Sequence, residues 1–164
     1  LEYVAGNLGC TDAQRVFGQL LGIDGDAGVP HAQVGAGSAY AYTAEDAEGH
    51  VLDGGATYSL RIPADPPAKN FWSIDLYDTQ TRSLLQVPAT PYPALSSLDG
   101  TVQAEEDGSH VLWFGPTAPE GRESNWIQTV PGKSWFPMLR LYGPLEPWFD
   151  GSWRLPELVK QSLA

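Results

Sequence analysis

One cysteine and one methionine are all the sulfur in this chain of 164 residues. A lone Cys10 excludes an intrachain disulfide and a thiolate zinc site. Its neighbours Gly9 and Thr11 bring no positive charge to activate the thiol. Basic residues are also scarce, with 9 Lys and Arg against 20 Asp and Glu and a net charge of −11. That balance excludes a duplex nucleic acid partner, because nothing could neutralise a run of phosphates. It disfavours an anionic membrane surface for the same reason. No apolar run approaches the roughly 20 residues of a membrane-spanning helix. The three histidines (His31, His50 and His110) show no metal-ligand spacing. Gly-x-Ser-x-Gly and a phosphate-cradling Gly-x-x-x-x-Gly-Lys are both missing, so a serine hydrolase has no support. No metal and no cofactor is expected, and no internal repeat is found.

What the chain does have is aromatic surface, glycine and proline. It carries 6 Trp, 7 Tyr and 5 Phe, which is incompatible with disorder. Gly (18) and Pro (14) make up about a fifth of it, and the length suits one domain. The acid is concentrated at the start. Residues 1–60 hold one basic residue, Arg15, against eight acidic ones, while residues 61–164 hold eight against twelve. Such a stretch reads as a solubilising face; a surface for a cationic partner or metal ions is the sharper alternative. Opening at Leu1 suits a processed form or an excised piece, which leaves localisation open.

Thr11-Asp12-Ala13-Gln14 forms a capping box, followed by Ala13, Val16, Phe17, Leu20 and Leu21 at helical spacing. This predicts a short helix over 12–21, then a Gly-rich loop over 23–38. Beyond it the period becomes two. Strands are expected over 39–43, 56–62, 70–77, 83–87, 101–104, 110–114 and 135–142. The turn Ala47-Glu48-Gly49-His50 separates the first two, and Glu105-Glu106-Asp107-Gly108 makes a hairpin signal later on. A closing helix is expected over 156–164. The fold class is therefore mainly β, an antiparallel β-sandwich or jelly roll with a short N-terminal helix. Residues 1–38 form a helical arm and linker, and 39–164 the β-sandwich domain.

Alternation places Asp75 and Tyr77 on one strand face with Phe71 and Ser73. An acid among aromatics has its neutral form favoured by desolvation, which suits acid–base work; a carboxylate facing solvent is the plainer alternative. Arg140 and Tyr142 share a face with Met138, opposite Leu139 and Leu141. An arginine there needs a carboxylate, and Glu123 is the expected partner, pinning its loop to the sheet. Alternatively Arg140 holds an anion, with Asn125 orienting it. Trp126, Trp135, Trp148 and Trp153 lie among C-terminal prolines, where exposed indoles would stack on sugars and buried ones would plug the sandwich. Glu45-Asp46-Ala47-Glu48-Gly49 lacks the remaining ligands of a calcium loop and reads as a turn.

Four ordered motifs carry a resemblance: Asp46-Ala47-Glu48-Gly49-His50-Val51-Leu52-Asp53-Gly54, Asn70-Phe71-Trp72-Ser73-Ile74-Asp75-Leu76-Tyr77-Asp78, Gly121-Arg122-Glu123-Ser124-Asn125-Trp126-Ile127, and Leu139-Arg140-Leu141-Tyr142-Gly143-Pro144, with Gly151-Ser152-Trp153-Arg154 after it. Over residues 40–156 the chain resembles the domain-of-unknown-function family 1214, which often sits C-terminal to family 1254. The resemblance implies a jelly-roll β-sandwich in bacterial, often exported or envelope-associated proteins, with no agreed reaction. Three functional readings follow. The leading one is a non-catalytic binding or assembly module for a small-molecule or glycan ligand, with Asn125, Trp126, Arg140 and Tyr142 as binding residues. The second is a small-molecule hydrolase or related enzyme, with Asp75, Tyr77 and Glu123 as catalytic candidates. The third is a homo-oligomeric structural protein that self-associates through residues 1–38, burying Val16, Phe17 and Leu20.

Overall fold

The computed structural model describes residues 33–162. The helix expected over 12–21, Cys10, His31 and most of the expected self-associating arm lie outside these residues. Eight strands are described: β1 (Ser38–Tyr42), β2 (Thr57–Ile62), β3 (Ala68–Asp78), β4 (Ala94–Ser96), β5 (His110–Gly115), β6 (Trp126–Gln128), β7 (Trp135–Pro144) and β8 (Val159–Gln161). They form two four-stranded sheets, ordered β1-β7-β3-β4 and β6-β5-β2-β8. The protein is mainly β, and the described helix amounts to a 3-10 turn at Glu123–Asn125 and one α-turn at Glu146–Phe149.

Period two decides what is inside. Trp72, Ile74 and Leu76 of β3 meet Leu141, Leu139 and Pro137 of β7 in register, and Ala39 and Ala41 of β1 continue the same face. Tyr58, Leu60 and Ile62 of β2 do the same with Phe114, Leu112 and His110 of β5. All the apolar members of these rows but Pro137 belong to one buried cluster. Trp135 joins the sheets, its ring 5.2 Å from Phe114 and 5.8 Å from Tyr58. Burying such side chains contributes roughly 1.5–3 kcal/mol each.

The structure corrects the expected elements at four places. The sheets are not wholly antiparallel, because β5 and β6 run parallel, with Trp113 beside Trp126. Residues 83–87 make one bridge, Leu84 to Tyr77, flanked by bonds from Leu85 N–H to the Leu76 carbonyl and from Asp78 N–H to the Ser83 carbonyl. Pro88 then removes a ladder donor, and β4 takes the next stretch of the β3 edge. Residues 101–104 form no strand. The Asn125 side chain replaces the neighbouring strand, accepting from Gln103 N–H at 2.8 Å and donating to its carbonyl at 2.8 Å. At the C-terminus β8 replaces the expected helix, pairing Val159, Lys160 and Gln161 with the open edge of β2. An unpaired sheet edge outweighs local helix preference over three residues.

Connections also differ from a simple hairpin reading. The turn at Ala47–His50 joins strands of different sheets, with Asp46 Oδ1 accepting from the amides of Glu48 and His50 at 3.0 Å each. Gly54 permits the next close approach. A Cβ at Gly54 would lie 2.1 Å from the Val130 carbonyl oxygen. Its own carbonyl accepts from Thr129 Oγ1 at 2.8 Å, and its N–H donates to Lys133 O at 2.8 Å. This ties the loop leading into β7 to the segment that precedes β2. The second such position is Gly143, at φ +68°, opposite the bulge where β3 shifts register between Ala68 and Phe71. The bulge increases local twist and ends the regular part of the outer sheet face.

Candidate functional site

The outer face of the β1-β7-β3-β4 sheet carries a group of polar and aromatic residues, among which Tyr42, Phe136 and Met138 are themselves buried. Register places Tyr40 beside Arg140, Arg140 beside Ser73, Met138 beside both Tyr42 and Asp75, and Phe136 beside Tyr77. Tyr77 stacks on Phe136 with centroids 5.3 Å apart, and Tyr42 tilts against Phe136 at 5.5 Å. Farther along, Phe71 stacks on Tyr142 at 4.0 Å. Between these groups Arg140 points outward, with its guanidinium carbon 5.9 Å from the Tyr77 ring centre.

A pocket of about 340 Å³ opens on this face, lined by Tyr40, Tyr42, Tyr77, Arg82, Phe136, Met138 and Arg140. That is the small end of the range for small-molecule sites. Its lining has five apolar or amphipathic side chains and two guanidinium groups, without a carboxylate.

Asp75 stands behind Arg140. Arg140 Nη1 lies 3.3 Å from Asp75 Oδ2, and Nη2 donates to the Tyr77 hydroxyl in a short bond. Asp75 is 15% exposed at its side chain and Arg140 26%, so the pair is largely desolvated. Burial pushes the Asp75 carboxyl above the usual range, although Arg140 and the Ser73 hydroxyl pull it down. Burial also raises the Tyr77 phenol. For Arg140, burial opposes its charge, but Asp75 and then Tyr77 outweigh it and hold the guanidinium protonated. The pair is not fully satisfied. Neither Asp75 Oδ2 nor Arg140 Nε has a hydrogen-bond partner, so this ion pair is a poor device for stability.

Arg82 reaches the pocket from the turn after β3. Buried Asp78 organises that turn, with Oδ1 accepting from Gln80 N–H at 2.8 Å and Thr81 N–H at 3.2 Å. Lys133 Nζ donates to Asp78 Oδ2 at 2.6 Å. That bond and the two amides hold the Asp78 carboxyl below the ordinary range. Arg82 N–H then donates to Asp78 O at 2.9 Å, which sets Arg82 at φ +60°.

Asp75, Tyr77, Arg140 and Tyr142 therefore share one sheet face, but the remaining sequence candidates lie elsewhere. Glu123 is exposed in the 3-10 turn of the opposite sheet and accepts from Gly121 N–H at 3.2 Å. The expected Arg140–Glu123 pair is thus replaced by Arg140–Asp75. Asn125 is buried and used up on backbone, adding a bond to Val111 O at 3.1 Å to its two with Gln103. Trp126 is half-buried, with its indole N–H on Gly115 O at 3.0 Å. Trp135, Trp148 and Trp153 are buried, so they form no exposed stacking platform. Sequence reasoning missed Tyr40, Tyr42, Phe136 and Arg82. The first two alternate along their strand and were within reach of the same face argument. Arg82 was not, because only the folded turn brings it across.

A family model described as "Protein of unknown function (DUF1214)" matches residues 37–146. No curated protein matches. Among solved structures, the chain is similar to the VPA0106 protein from Vibrio parahaemolyticus, with 25% identity and a TM-score of 0.67 over 84% of this chain. An uncharacterized protein from Burkholderia cenocepacia overlaps at 14% identity and a TM-score of 0.49 over 80% of it. The chain spans about a third of each of those proteins, 33% and 32% respectively.

Proposed function

The chain belongs to the family of unknown function DUF1214, and we propose that within it this domain is a non-catalytic small-molecule-binding module of jelly-roll type. Four strands in each of two sheets support the jelly-roll assignment, with the parallel β5–β6 pair as its departure. One observation carries the binding reading. The pocket lining offers rings, a thioether and two guanidinium groups, while the acid–base candidate beside it, Asp75, is screened behind Arg140. A general base must reach the proton it takes, and this carboxylate faces its arginine instead. The enzyme reading also named Glu123, which lies in the 3-10 turn before β6 of the other sheet, where Asn125 and Trp126 of the binding reading lie too, leaving Arg140 and Tyr142 on this face.

Met138 lines the pocket and is the one methionine of the sequence, so its methyl group is a single-site reporter. A fragment library of about 10–15 heavy atoms per compound, screened on protein labelled with 13C at the methionine methyl, tests the proposal. Concentration-dependent shifts of that resonance with a subset of fragments are expected. A resonance unmoved by every fragment would overturn the reading.

A further inference from the structure

We infer that the pocket is selective for a small anionic ligand with a flat aromatic body, its carboxylate held by Arg82. This rests on the binding reading above and adds the ligand's chemical class.

Of the two guanidinium groups lining the pocket, Arg140 is compensated by Asp75 and bonded to the Tyr77 hydroxyl. Arg82 makes no ion pair with any described residue. The pocket thus keeps one uncompensated positive charge, in a chain whose net charge is −11. Three tyrosines around a cavity would otherwise suit a cation held over ring faces. Two arginines at the same cavity repel such a ligand and favour a carboxylate, which a guanidinium binds through two parallel N–H bonds.

Arg82 is not a freely swinging surface arginine at its backbone. The Asp78 carboxylate holds the amides of Gln80 and Thr81, Lys133 caps its other oxygen, and Asp78 N–H closes the turn on Ser83 O at 2.9 Å. The turn fixes the base of the Arg82 side chain beside the pocket before any ligand arrives, which lowers the ordering cost of binding.

The body follows from the walls. Tyr77 and Phe136 lie within 16° of parallel, and Tyr42 closes against Phe136. Met138 adapts to ring edges. A volume of about 340 Å³ has room for one fused ring pair.

Three probes of one shape separate the possibilities: 2-naphthoate, neutral 2-naphthamide and cationic 2-naphthylmethylamine, each titrated calorimetrically and followed at the Met138 methyl. The carboxylate should bind at least tenfold tighter than the amide, and the amine should be the weakest. Arg82→Asn keeps a side chain that tolerates the left-handed backbone. It should cost the carboxylate about tenfold in affinity and leave the amide unchanged, with Arg82→Lys recovering part of the loss. Amide and carboxylate binding equally, or the amine binding best, would overturn the anion inference and leave the binding reading standing. Binding by none of the three also overturns the inference, and the wider fragment screen then decides the binding reading separately.

Discussion

Replacing Arg140 with methionine isolates the energetics of the site. The methionine stem keeps much of the apolar packing against Tyr77 but removes the only cation paired with Asp75 among the described residues. Asp75 keeps 15% side-chain exposure, so its carboxylate is left charged in a largely dry position. Removing one member of a buried pair costs about 3–5 kcal/mol, and residual solvent contact brings this to about 2–4 kcal/mol at neutral pH. The pH dependence has a definite sign. The folded-state pKa of Asp75 is already raised, and loss of Arg140 raises it further. The folded protein then prefers the protonated acid relative to the unfolded chain. The deficit is therefore full above the folded pKa and shrinks as pH falls through it toward the unfolded value of about 3.9. Urea unfolding of Arg140→Met, followed by tryptophan fluorescence at pH 7.5 and pH 5, measures both quantities. Adding Asp75→Asn should recover most of the loss at pH 7.5. A deficit below about 0.5 kcal/mol, one of equal size at both pH values, or a double variant as unstable as the single one would show that Asp75 is not left as a buried unpaired charge.

Three further outcomes follow from other parts of the molecule. Asn125→Ala leaves Gln103 and Val111 backbone groups without their partners and should destabilise by about 2–4 kcal/mol in urea unfolding. Asn125→Asp should be worse, since an oxygen replaces the amide that donates to two carbonyls, while the Met138 pocket response to a bound fragment stays unchanged. Gly54→Ala forces a methyl into the Val130 carbonyl and should cost more than about 3 kcal/mol or prevent soluble expression; a loss below 1 kcal/mol would contradict that contact. His110 sits against Trp72, with its pKa lowered by burial. Its neutral form is favoured in the fold, so this contribution is intact above the unfolded value of about 6.5 and declines as pH falls below it. An NMR titration of the His110 ring should give a midpoint below 6.5, and a midpoint above it would contradict the burial account.

The strands that sequence reading located are those whose two faces differ. Along β3 the alternation of Trp72, Ile74 and Leu76 with Ser73, Asp75 and Tyr77 is unambiguous, because a slip of one residue would bury the polar set. The same alternation put Arg140 and Tyr142 opposite the core-facing leucines of β7. What escaped depended on partners distant in the chain. β6 and β8 have three residues each and exist because β5 and β2 offer them an edge. Asn125 looked like a ligand-orienting amide, yet its role is to stand in for a strand beside Gln103. Glu123 was the nearest acid by motif, but the carboxylate that reaches Arg140 lies on the adjacent strand, at Asp75. Arg82 carried no pattern at all, since a turn residue acquires its neighbours only when the turn closes.

On the proposed reading, ligands enter the outer-face pocket beside Arg140 and Arg82. Intermolecular nuclear Overhauser effects between a bound aromatic fragment and the Met138 methyl group test it most directly. Strong effects to Met138 are expected, together with effects to the rings of Tyr42 and Tyr77 that line the same pocket. A fragment that binds the protein yet contacts only the opposite sheet, around Trp126 or Val159, and leaves Met138 silent would contradict it.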